Sequence, residues 1–118
     1  GGYSPLESPL SHSWIPLILG CFGAVCWAPL TEEILFRGAL YRSIRTRLGR
    51  WGAIPITAVL FGAIHPYSTA GLVSVASVGM VFGLLREWRG SLVAPMTAHF
   101  LHNGVLMSLQ LMYVLAVD

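Results

Sequence analysis

The run WIPLILGCFGAVCWAPLTEEILFRGALYR, residues 14–42, decides the fold. Trp14 to Leu30 is apolar and passes without a polar loop into Thr31 to Tyr41; an arginine cluster follows only then, at Arg42, Arg45, Arg47 and Arg50. This reads as one long helix of about 42 Å, at about 1.5 Å per residue, enough to cross a hydrocarbon core with tilt, with Pro29 expected to kink it in the middle.

The rest of the chain repeats the theme. Trp51 to Ile64 is a second apolar segment ending at His65-Pro66, and Tyr67 to Gly71 (YSTAG) reads as a turn. Leu72 to Leu85 is a third, closed by Arg86 and Arg89; Pro95 to Val117, entered through Gly90-Ser91, is a fourth. The expected fold is therefore all-α, a polytopic transmembrane helical bundle with about four spans in this chain. Gly79 and Gly83 form a GxxxG pair that lets a neighbouring helix come close, a weak signal taken alone.

Composition agrees with a bilayer as the main solvent: of 118 residues, 55% are hydrophobic and 10% charged, with a mean hydropathy of +0.70. The net charge of +2 comes from seven Arg and no Lys against five acids. Six of the seven Arg fall in the two clusters, both abutting apolar spans and lacking interleaved aromatics, so a nucleic-acid surface is excluded. Threading the segments puts both clusters on one side, cytoplasmic by the positive-inside rule, with Trp14, Trp51 and Trp88 near the boundaries. Cys21 and Cys26, with no second pair, read as reduced packing residues.

Residues 1–13 hold Pro5, Pro9 and several Ser without a positive n-region. They read as a flexible or interfacial N-terminal segment and not a signal peptide, with residues 14–118 as one helical unit. The missing initiator Met points to a fragment of a longer protein.

Ionisable groups inside spans are costly and by default mark function. Counting from the arginine-rich ends, Glu32 should lie about 15 Å in, His65 about 21 Å and His99 about 13 Å. Asn103 follows His99 by one turn on the same face. Glu33 and Arg37, four apart with the acid first, suit a helical ion pair that is structural in the ordinary case. Glu32 is turned about 100° from Glu33 and is left as a lone carboxylate facing a cavity. A lone His in a span can simply cap a neighbouring helix, and His102 reads as a packing or hydrogen-bonding group; Phe61, one turn before His65, shapes the pocket. The functional reading rests on Glu32, His65, His99 and Asn103 reaching a common depth from three helices.

Three stretches carry a resemblance: Glu32-Glu33-Ile34-Leu35-Phe36-Arg37, Phe61-Gly62-Ala63-Ile64-His65 and His99-Phe100-Leu101-His102-Asn103. Read as EExxxR, FxxxH and HxxxN, in this order and within apolar helices, they resemble the CPBP (Abi) family of CAAX proteases and bacteriocin-processing enzymes. The resemblance implies an intramembrane endopeptidase acting on a membrane-associated, in some members lipidated, protein or peptide. It implies that Glu32 and His65 activate the attacking water and that His99 and Asn103 stabilise the oxyanion, with Glu33 and Arg37 completing the first motif. Family members usually have more spans than four, and some serve in bacteriocin immunity.

No cofactor is expected on this reading. The alternative is zinc held by Glu32, His65 and His99, a ligand set that catalytic zinc uses, although no HExxH is present. A rival from another class makes the same cluster a proton relay in a transporter or a structural network in a membrane scaffold. The expected partners are the substrate and the lipid bilayer, and the expected location is a prokaryotic plasma membrane.

Overall fold

The computed structural model describes residues 14–65 and 68–117, and every regular element among them is helical. Helix runs from Ile15 to Ala63 with a break at Gly49. We call residues 15–48 α1, residues 50–63 α2, Thr69–Arg89 α3 and Val93–Val117 α4. Ile15–Ala63, Thr69–Arg89 and Val93–Val117 are each long and apolar enough to cross a membrane, and the break divides the first of them, giving four helical segments.

The break exists because Gly49 adopts φ 68°, ψ −177°, a conformation that side chains beyond glycine rarely enter. The chain folds back there, so that Tyr41 packs on Ala53 and Ile54, and Phe36 meets Phe61 edge-on at 5.4 Å. The expected turn at 67–71 is shorter than its sequence suggested. Tyr67 and the preceding Pro66 lie outside the described residues, as does the segment 1–13. Thr69 to Gly71 are already helix, begun by Ser68, whose hydroxyl accepts the Gly71 N–H at 3.3 Å.

Pro29 does not simply kink α1. The helix widens into a π turn at Gly23–Trp27, where the Ala28 N–H reaches back five residues to the Gly23 carbonyl, and Pro29 begins the next regular turn. A second π turn, Ile34–Leu40, follows the two glutamates. Each turn shifts the helical register by a residue and alters which face α1 offers to its neighbours.

Small residues let α3 approach α2. A methyl group placed on Gly79 would sit 3.0 Å from Arg37 Nη2 and 3.2 Å from Ala58 Cα, and one on Gly62 would sit 3.0 Å from the Leu72 carbonyl. The GxxxG pair therefore marks a real contact face. At one end of the bundle Arg45 grips the Glu87 carboxylate with two hydrogen bonds, 2.7 and 2.8 Å, and the Tyr41 hydroxyl donates to the same carboxylate. The two arginine clusters are thus at the same end.

The packing is inverted relative to a water-soluble domain. Glu33, Arg37, Thr57 and His99 are buried beside Phe36, Phe61 and Phe82, while large apolar side chains such as Trp14, Leu101, Met112 and Leu115 point outward. Such a surface is stable in lipid and not in water.

Candidate active site

The polar interior is organised around Arg37. From α1 its Nη1 donates to Glu33 Oε1 at 2.9 Å and its Nη2 to the Gly79 carbonyl of α3 at 2.8 Å. The guanidinium lies over the rings of Phe61 and Phe82, 4.6 and 5.2 Å from their centroids. Both Arg37 and Glu33 side chains are wholly buried, so each charge is tolerated through its partner. A Cβ at Gly79 would stand 3.0 Å from Arg37 Nη2, so the absence of a side chain leaves the guanidinium its room beside this carbonyl.

Glu33 has a second partner that its spacing from Arg37 did not suggest. The same Oε1 lies 2.7 Å from His99 Nδ1 on α4. A carboxylate already bound to Arg37 is an acceptor, so His99 Nδ1 carries a proton and donates it. This turns Nε2 toward Glu32, whose Oε2 is 3.5 Å away. Phe82 stacks on the imidazole at 4.7 Å, and Phe61 meets it edge-on at 5.6 Å, fixing the ring plane. The ring is buried with its one working nitrogen facing the cavity.

His65, at the end of α2, is fixed in a parallel manner. Its Nδ1 donates to the Phe61 carbonyl one turn earlier, at 2.7 Å, which directs Nε2 at Glu32 Oε1, 4.0 Å distant. Glu32 thus has one oxygen toward each imidazole and stays a quarter exposed, whereas Glu33 is sealed. Glu32, His65, His99, His102 and Asn103 all line one cavity of about 460 Å³, with Phe61, Val78 and Phe82 among its apolar walls. That size and lining suit a mostly apolar ligand held by a few converging polar groups.

Asn103 reaches the cavity wall, but its amide is already engaged: Nδ2 donates to the Ala24 carbonyl at 2.8 Å, and Oδ1 lies 3.4 Å from His102 Nδ1. The π turn explains the first bond. In a regular helix Ala28 would donate to Ala24, but its N–H goes to Gly23, and Pro29 has no N–H to offer. Asn103 supplies the missing donor, as neighbouring side chains do for helix carbonyls freed within a membrane. One N–H of the amide remains for the cavity.

Among the described residues no three His, Cys, Asp or Glu side chains are gathered as metal ligands. Cys21 and Cys26 are free and half-buried on α1.

The class of protein is now in view: a helical membrane protein whose polar centre is a carboxylate between two imidazoles, set in an apolar cavity. The chain belongs to the Rce1-like family, described as type II CAAX prenyl endopeptidases, whose family model matches residues 14–105. It is also similar to an uncharacterised protein, YpbD, of Bacillus subtilis (strain 168), 39% identical over 77 residues, which is 63% of this chain and 36% of that protein. The chain therefore spans about a third of the curated relative it matches. No solved structure gives a significant match. Membership points to a peptidase embedded in a membrane, as the three EExxxR, FxxxH and HxxxN stretches imply.

Proposed function

We propose that residues 14–118 form the catalytic core of an intramembrane endopeptidase that cleaves a membrane-associated protein or peptide with a water activated by Glu32 and His65. The observation that carries this reading is the placement of Glu32 between two imidazoles at the wall of one cavity, 4.0 Å from His65 Nε2 and 3.5 Å from His99 Nε2. A gap of 4.0 Å is too long for a direct hydrogen bond and suits an oxygen bound by both groups.

In the reaction, that water attacks the scissile carbonyl carbon while Glu32 accepts its proton. For the developing oxyanion the donors are the remaining N–H of Asn103 and His99 Nε2, the latter only when the ring is doubly protonated, since Nδ1 already gives its proton to Glu33. Glu32 then returns the proton to the departing amine as the C–N bond breaks. Glu33 keeps the His99 ring turned toward Glu32, and Arg37 balances the Glu33 charge.

Water activation here is assigned to the protein groups alone. The alternative uses the same Glu32, His65 and His99 as zinc ligands, and stoichiometric zinc in the purified protein, with activity lost to a chelator and regained on addition, would replace our assignment. Glu32→Gln keeps the shape and removes the base. Cleavage of a prenylated CAAX peptide by the full-length protein in lipid nanodiscs should fall at least about a hundredfold in that variant, the lower range for loss of a general base. Turnover close to the parent would refute the role of Glu32. Function that persists and follows a proton gradient would favour a transporter.

A further inference from the structure

The two π turns of α1 have the same consequence, and the second leads to a residue outside the cavity. In the turn Ile34–Leu40 the N–H that would bond the Arg37 carbonyl in a regular helix is that of Tyr41. It bonds Phe36 and Gly38 instead, so the Arg37 carbonyl loses its α-helical donor. A side chain from another helix takes that place: Arg86 of α3, whose Nε donates to the Arg37 carbonyl at 3.1 Å. This repeats, with a different donor, what Asn103 does for Ala24 in the first π turn.

We propose that Arg86 is a positioning residue for the site: by capping the Arg37 carbonyl it fixes the backbone on which Arg37 holds Glu33 and, through Glu33, the His99 ring. The connection is continuous. Arg86 Nε holds the Arg37 main chain, the Arg37 side chain holds Glu33 Oε1, and the same oxygen holds His99 Nδ1. Arg37 is thereby tied to α3 twice, by its carbonyl to Arg86 and by its guanidinium to the Gly79 carbonyl. The Arg37 carbonyl, without its α-helical donor, depends on Arg86 for its place, and a shift of about 1 Å there is enough to cost a catalytic site much of its rate.

The sequence offers a test that separates the hydrogen bond from the charge. The nitrogen that makes the contact is Nε, four bonds from Cα, and a glutamine carries an amide nitrogen at the same reach. Arg86→Gln keeps a donor there and removes the charge; Arg86→Met keeps an apolar stem of similar length and removes the donor. The alternative role for Arg86 is electrostatic, since its guanidinium also lies 5.6 Å from the centroid of the Tyr41 ring.

The measurement uses full-length protein in nanodiscs, with a farnesylated CAAX peptide as substrate and ¹⁵N-labelled histidine for ring NMR. Arg86→Met should lower kcat about tenfold with KM within about twofold, the signature of a group acting in the transition state and not in binding. It should also shift the His99 ring resonances, while Arg86→Gln should restore both. Should Arg86→Met fail to fold, parent-like kcat and His99 resonances in Arg86→Gln would still support the carbonyl cap. Loss in Arg86→Gln equal to that in Arg86→Met would overturn the proposal in favour of charge, as would an unaltered His99 spectrum in a folded Arg86→Met protein. The kinetic arm rests on the peptidase reading; the NMR arm does not. A parent protein that cleaves nothing, together with His99 resonances that still shift in Arg86→Met and return in Arg86→Gln, would fail that reading and leave Arg86 in place.

Discussion

Glu32 and Glu33 are adjacent in the chain and opposite in circumstance. Glu33 is sealed between Arg37 and His99, whereas Glu32 stays a quarter exposed at a cavity. Removing Glu33 by substitution with alanine leaves the buried Arg37 charge without its carboxylate, at a cost of about 3–5 kcal/mol. Thermal unfolding in detergent should therefore show a large drop for Glu33→Ala and a much smaller one for Glu32→Ala. For the imidazoles, His65→Ala and His99→Ala should each cause strong loss of cleavage, and Asn103→Ala a smaller one, in the same peptide assay; a fully active His99→Ala would remove the oxyanion role. The helical spacing of Glu33 and Arg37 made their pair legible in the sequence. The His99 contact was not, because it spans 66 residues and nothing local encodes it. Phe82, stacked on His99, carried no signal at all, being one apolar residue among many on α3.

Among the elements, α1 departs most from its sequence reading. A long apolar stretch with Pro29 supports a kink by the ordinary rule for proline, and nothing in residue order says that the strain will be absorbed as a π turn three-dimensionally matched to Asn103. The consequence is that Asn103 works first as a support for α4 against α1, which a motif cannot reveal. The glycine pair on α3 was better written: Gly79 and Gly83 predicted close approach, and a Cβ added at Gly79 would crowd Arg37, Phe61 and Ala58 at 3.0 to 3.2 Å. Gly79→Ala should displace the Arg37 guanidinium from its carbonyl and lower both thermal stability and turnover. Gly83→Ala, whose nearest neighbour would be Ile54 Cγ2 at 3.3 Å, should be milder. Equal effects on melting temperature and kcat in the two variants would contradict this ranking.

The whole molecule was the most legible scale, because lipid imposes few choices on a chain. Apolar length, the two arginine clusters and the tryptophans at segment ends specify helices, their number and a common arginine-rich end, and the Arg45–Glu87 contact joins the two clusters there. The cytoplasmic assignment of that end is a prediction with a direct check. In a background with Cys21 and Cys26 replaced by serine, Arg47→Cys and Ser91→Cys should react with a membrane-impermeant thiol reagent from the same, cytoplasmic, side. Ser68→Cys, at the far end of α3, should react from the other. Labelling of Arg47→Cys and Ser91→Cys from opposite sides would break the topology.

The reversal at Gly49 ties α1 and α2 together through a single residue with φ 68°, a value that only glycine holds without strain. A side chain at this joint would be felt by the whole hairpin, so Gly49→Ala should lower the melting temperature in detergent, and an unchanged value would contradict that reading.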